Sequence, residues 1–402
     1  MKPLTKLEGE NSEILVLSRP HLFCLVISHH YPQNLKQIPF LSLAPQNEEI
    51  RTEALTAITN VYDRNWFILG KELETFEQDY ALFTNTPFCI GVGNGHDALF
   101  IALKACGIGS DDEVIVPAHT FIATWLAVTR TGAKIIPLDS DGTFNIDIQK
   151  LEGALSDKTK AIIPVHLYGQ PCNMTAILAF SKKHGIFVIE DNAQAHGAAW
   201  QGQLTGSFGD INATSFYPVK NLGALGDGGA LTTRNFEFAQ YARRYRNYGF
   251  EIKNVSSEKG MNSRLDEIQA AVLGIKLKHV HRWNEERIRL ANLYLKMLEG
   301  IGDVRLPISH PEALHVYHLF VIRTAQRDAL RIHLANHHVE TMIHYPIPPH
   351  LQKSFKDLGY KKGDYPIAEN IANTALSLPL WPGLKDTEVE YVCEVIKKFC
   401  AS

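Results

Sequence analysis

The chain has 402 residues, 45% of them hydrophobic and 21% charged, with a net charge of only −3, a balance that fits a globular protein and speaks against nucleic acid as a partner. Its length exceeds the roughly 250–300 residues that one core usually serves, so two domains are expected. Six cysteines (Cys24, Cys89, Cys106, Cys172, Cys393 and Cys400) form no C-x-x-C pair, which argues against a disulfide framework or a zinc knuckle and fits a reducing cytoplasm.

Residues 1–37 lack sustained periodicity and are expected to be a poorly ordered extension; the apolar run Leu22–Ile27 is too short to cross a membrane. From Glu72 onward, helical patterns alternate with short β-branched runs at Glu113–Val116, Lys134–Leu138, Ala161–Val165 and Phe187–Glu190. Strands separated by helices imply an α/β fold with a mostly parallel central sheet covered on both faces. Gly95–Ala105 and Leu265–Leu277 carry the three-and-four spacing of covering helices. A polar helix follows over Trp283–Leu298, then a strand at Val316–Thr324, a helix, a strand and a last helix over Asp386–Phe399. The pattern divides the chain into a large domain, 38–285, and a smaller C-terminal α+β domain, 286–402.

Phe187–Gln194 places Asp191 just beyond the carboxyl end of a buried strand, where open α/β sheets bind ligands. Alone, such a carboxylate reads as a helix cap. Twenty-nine positions later, however, Lys220 stands between an apolar strand and a glycine-rich segment ending at Gly229. An apolar setting lowers a lysine pKa toward a nucleophilic neutral amine. Pyridoxal 5′-phosphate (PLP) chemistry needs such a lysine, an acid that keeps the pyridine nitrogen protonated, and donors for a phosphate. Asp191 and Lys220 suit the first two roles. Gly91–Leu99 follows a strand-like Phe88–Ile90 and opens a helix, offering backbone N–H groups to an anion, and Ser215 adds a hydroxyl. The glycine cluster is a poor match to a dinucleotide fingerprint, because His96 stands where a third glycine belongs and no clear acid ends a second strand near the ~20-residue spacing. His119, His166 and His196 flank these segments as secondary candidates. His344 with His350, or His315 with His318, lack the cysteine or carboxylate cluster of a metal site, so no metal is expected.

Five segments in order, Asp112–Thr124, Pro164–Gln170, Ile189–Gly197, Ser215–Gly229 and Asn262–Ala271, resemble the DegT/DnrJ/EryC1/StrS sugar aminotransferases, a branch of the fold-type I PLP-dependent transferases. The resemblance runs from Ile38 to the C-terminus. It implies that Lys220 forms a Schiff base with the cofactor aldehyde and that Asp191 pairs with the ring nitrogen. It further implies that Phe121 stacks on the ring, Gln194 meets the phenolic oxygen, and Gly95, His96 and Ser215 hold the phosphate, the first two through backbone amides. The family's usual residue after the glycine is threonine or leucine, so the side chain of His96 is a departure. Asn262 would reach the phosphate of a neighbouring subunit, giving a homodimer with shared sites.

The reaction implied is a two-stage exchange in which glutamate donates an amino group and a nucleotide-linked keto-sugar receives it. Similarity of Asn94–Leu99, Ala118–Trp125 and Ile343–His350 to the C3-aminating branch points to a dTDP-3-keto-6-deoxyhexose. C4 amination of a UDP-4-keto-sugar is the nearest alternative. A sugar dehydratase would carry histidine in place of Lys220, and a non-catalytic regulatory binder would not need the lysine.

Overall fold

A computed structural model of the chain describes residues 37–401; apart from Gln37, the expected N-terminal extension lies outside the described residues. Seven strands form the central sheet: β1 (Phe88–Val92), β2 (Glu113–Pro117), β3 (Lys134–Leu138), β4 (Thr159–Ile162), β5 (Phe187–Asp191), β6 (Ile211–Ser215) and β7 (Gly229–Thr233). Their spatial order is β1-β7-β6-β5-β4-β2-β3. β2 to β6 pair in parallel, and β7 enters antiparallel between β1 and β6. The run Ala161–Val165 splits at Pro164, which has no N–H to give to a ladder. Its carbonyl still accepts from Asp191 N, and Val165 bridges Asp191 beyond the strand.

Side chains alternate across the sheet, which is why the strands read as continuous apolar runs. Val114, Val116 and Ile189 join one core with helices α4 (Gly95–Ala105), α5 (Ile122–Thr131) and α7 (Phe236–Tyr245). Ile115, Ile162 and Val188 point the other way, toward α6 (Met174–His184). On that same side of β1 and β7, Cys89 and Ala230 pack against α3 (Lys71–Phe83) and α8 (Glu267–Leu277). Two N-terminal helices, α1 (Ala44–Glu49) and α2 (Arg51–Arg64), precede this unit.

The C-terminal part pairs β8 (Phe320–Arg323) antiparallel with β9 (Ala375–Leu378). Around them lie α9 (Val280–Leu298), α10 (Arg327–Asn336), α11 (Pro366–Thr374) and α12 (Asp386–Ala401). Leu290, Leu298, Phe320, Leu330, Val392 and Ile396 belong to its core. Ile38 bridges Val339 and packs in this core too, and α9 runs through the expected 285/286 division. A second tie crosses between the two parts. Buried Asp139, just past β3, accepts from Ile367 N at 2.9 Å and Ala368 N at 2.7 Å, capping α11. Among the described residues no helix is long and apolar enough to cross a membrane.

Candidate active site

Asp191 ends β5, paired with Ala213 of β6, so its carboxylate stands at the carboxyl edge of the parallel strands. It is only 6% exposed. Thr124, in the first turn of α5, donates to its Oδ2 at 2.9 Å, and Ala193 N donates to Oδ1 at 3.2 Å. Burial raises the carboxyl pKa, while the Thr124 and Ala193 bonds and the positive charge of Lys220 oppose the rise. A buried carboxylate so placed is suited to a cationic N–H partner.

Lys220 follows β6 on a loop that folds back on itself: Phe216 N donates to Gly228 O and Ala224 N to Phe216 O, both at 2.8 Å. The turn is tight enough that a Cβ on Gly223 would lie 2.2 Å from Pro218 O. Three side chains hold the loop from behind. Asn221 bonds Asn284 Oδ1 at 2.8 Å and lies 3.1 Å from His318 Nδ1. From α8, Gln269 accepts from Leu225 N and buried Lys276 donates to Gly223 O, each at 2.8 Å. The Lys220 side chain is half-buried. Desolvation lowers its pKa from 10.5 to about 8, and the facing Asp191 carboxylate opposes that fall. The two residues found by sequence are thus close enough to set each other's charge.

The opening of α4 completes the third side. Asn94 caps the helix by accepting from Asp97 N at 2.8 Å, leaving the first-turn N–H groups of Gly95 and His96 without intrahelical acceptors. Gly95 is required here: a Cβ would sit 2.6 Å from the Cβ of Ser215. Backbone amides, a helix N-terminus and the Ser215 hydroxyl therefore converge as an anion cradle. The His96 imidazole turns toward Asp97, with Nδ1 3.7 Å from Oδ1. Phe121, at the start of α5, is 51% exposed, with its ring 5.5 Å from that of Tyr345. Gln194 accepts from Tyr168 N at 2.7 Å and donates to Tyr345 Oη at 3.0 Å, which leaves it one further amide proton. Asn262 is exposed; its neighbour Ser263 accepts from Gly93 N at 3.0 Å and donates to Asp97 at 2.8 Å.

The flanking histidines are embedded in bonds. His166 Nδ1 accepts from Cys172 N, so its proton sits on Nε2 and goes to Glu190 at 2.8 Å. His119 meets Tyr168 Oη at 2.8 Å and His196 meets Thr214 at 2.9 Å. Burial pushes His119 and His196 down to about 3 and His344 to about 4, with Lys220 adding to the fall in the latter two. Neutral His196 and His344 therefore stand near the lysine. His344 bonds Ser377 and His350 bonds Glu369, and among the described residues no group of three or more His, Cys, Asp or Glu could hold a metal. Reading the sequence left Thr124, Tyr168 and Tyr345 without roles, although all three stand inside the quoted segments. Only Thr124 carried a signal, three residues beyond Phe121 and so one helical turn away.

The DegT/DnrJ/EryC1/StrS aminotransferase family model matches residues 48–397. The chain is 45% identical to the pleiotropic regulatory protein of Geobacillus stearothermophilus, over 90% of this chain and 98% of that one. It is 44% identical to the dTDP-3-amino-3,6-dideoxy-alpha-D-galactopyranose transaminase of Aneurinibacillus thermoaerophilus, over 90% and 99%. The dTDP-3-amino-3,4,6-trideoxy-alpha-D-glucose transaminase of Streptomyces venezuelae is 43% identical, over 90% and 96%. A crystal structure of DesV from S. venezuelae, in complex with a ketimine intermediate, superposes with a TM-score of 0.89 at 43% identity, covering 91% of this chain and 99% of that one. A family match over this span, together with the sheet order and the site at its carboxyl edge, places the chain in the DegT/DnrJ/EryC1/StrS aminotransferase family.

Proposed function

We propose that the chain moves an amino group from glutamate to C3 of a dTDP-linked 3-keto-6-deoxyhexose, as a homodimer whose sites are shared. Pyridoxal 5′-phosphate is the cofactor, and the residues present fit it: an anion cradle that only glycine at 95 permits, a buried carboxylate and a lysine with a softened charge. When bound it supplies an aldehyde for the lysine and a ring that takes up electrons from the carbon losing its proton. Gly95 N, His96 N and the Ser215 hydroxyl would hold the phosphate. Asp191 would accept the ring N–H, Phe121 would pack on the ring, and the remaining amide proton of Gln194 would serve the phenolic oxygen. Lys220 Nζ takes the proton from the donor's α-carbon and later returns one to the sugar carbon. A pKa near 8 suits it to both, since a group poised near the working pH can give and accept. Neutral His196 and His344 beside it add no competing positive charge.

The observation that carries this reading is the placement of Lys220, its amine held near pKa 8, against buried Asp191 at the carboxyl edge of the sheet. Two similar proteins named as dTDP-3-amino-sugar transaminases support the C3 position and the nucleotide. A regulatory role, raised by the name of the Geobacillus relative, would not need a lysine tuned in this way. The shared-site dimer is supported by exposed Asn262 and by exposed Tyr217, Tyr248, Ile252 and Val255, apolar surface of the kind that a second subunit covers. The test is a panel of dTDP- and UDP-linked 3-keto and 4-keto sugars with glutamate, with products identified by NMR. The expected product is a dTDP-3-amino sugar; exclusive turnover of a 4-keto or UDP-linked substrate refutes the assignment.

A further inference from the structure

Thr120 and Thr124 stand four residues apart across the start of α5, on either side of Phe121's place in the chain, and both are buried. Trp125 Nε1 donates to Pro117 O at 2.9 Å and fixes this turn against the end of β2. Thr124 Oγ1 donates to Asp191 Oδ2 at 2.9 Å, and Thr120 Oγ1 lies 3.1 Å from Thr124 Oγ1. A hydroxyl has one proton, and an ionised carboxylate only accepts. With the Thr124 proton committed to Asp191, the proton between the threonines comes from Thr120. In that direction every proton in the chain has an acceptor: Thr120 to Thr124, Thr124 to Oδ2, and Ala193 N–H to Oδ1.

The opposite direction fails at its far end. A neutral Asp191 protonated on Oδ2 would donate to Thr124, which would then turn its own proton to Thr120. The Thr120 hydroxyl would be left with a proton and, among the described residues, no further partner to receive it. A proton on Oδ1 would make that oxygen a poorer acceptor for the Ala193 N–H. An unmet buried donor disfavours a state by a factor on the order of 10–100. The direction of the hydroxyl chain thus opposes burial, which favours the neutral acid.

We propose that Thr124, backed by Thr120, is a positioning residue that holds Asp191 as an anion aimed at the cofactor ring nitrogen. The inference rests on the cofactor reading above. Protein reconstituted with PLP carrying 15N in the ring reports the protonation of that nitrogen directly by NMR. The wild type should show a protonated ring nitrogen. Thr124→Val should move the signal toward the neutral form and lower kcat about 10- to 100-fold, the usual scale for losing a hydrogen bond to a charged group, with KM for glutamate little changed. Thr124→Ser should restore both, and Thr120→Val should fall between. Where far-UV circular dichroism shows Thr124→Val unfolded, Thr124→Ala carries the same expectation and Thr120→Val the intermediate one. A folded variant without the Thr124 hydroxyl whose ring signal equals the wild type's overturns the role, as does a Thr124→Ser protein as impaired as Thr124→Val. A wild-type protein that takes up no PLP overturns the cofactor reading and this inference with it.

Discussion

The charge of Lys220 can be measured without turnover. An amine with a pKa of about 8, against the ordinary 10.5, is neutral about 9% of the time at pH 7, whereas an ordinary lysine is neutral about 0.03% of the time, a gain of roughly 300-fold in the reactive form. Apo-protein treated with formaldehyde and cyanoborohydride, then mapped peptide by peptide, reads this for each lysine. The Lys220 rate should climb about tenfold per pH unit below 8 and flatten above it, while exposed lysines keep climbing to beyond pH 10. Asp191→Asn separates two effects of one carboxylate. Because the Asp191 charge raises the Lys220 pKa, removing it should move the midpoint below 8 and speed methylation at pH 7. Transamination should nevertheless fall by about 10²–10³, since a neutral amide is a poor partner for a ring N–H. In Lys220→Ala the fast-reacting peptide, the visible absorbance of the cofactor and transamination should all vanish. A Lys220 midpoint near 10.5, or an upward shift in Asp191→Asn, would refute the electrostatic argument.

Three further outcomes are expected. Gly95→Ala should fold yet weaken PLP binding at least about tenfold in equilibrium dialysis, because the new methyl must displace Ser215 from the anion cradle; unchanged affinity removes the cradle. Mixing Lys220→Ala with Asn262→Ala chains should restore activity once subunits exchange, since a two-fold dimer would then hold one site with both residues intact. Exchange confirmed by mass spectrometry without recovery, or an active monomer, excludes shared sites. Asp139→Ala should lower stability by about 1–2 kcal/mol in denaturant titrations by uncapping α11; an unchanged midpoint means that the tie contributes nothing.

Much of this protein was legible in its sequence. Strands buried on both faces must be apolar throughout, so Glu113–Val116, Lys134–Leu138 and Phe187–Glu190 marked β2, β3 and β5, and helical spacing marked α4 over Gly95–Ala105. Lys220 and Asp191 were legible for a related reason. A lysine in apolar surroundings and an acid at a strand end are chemically conspicuous, and the order of the segments around them is specific to a family. What only the tertiary structure decided is how those groups are tuned. Thr124 lies 67 positions from Asp191 and Tyr345 lies 151 from Gln194, and Lys276 reaches a carbonyl 53 positions away. No local periodicity encodes such pairs, because they form only when α5, α8 and the C-terminal segment fold over the same edge of the sheet. The reversal of β7 and the capture of Ile38 by the C-terminal core were equally silent, since an apolar strand carries no mark of its direction or of the neighbour that buries it.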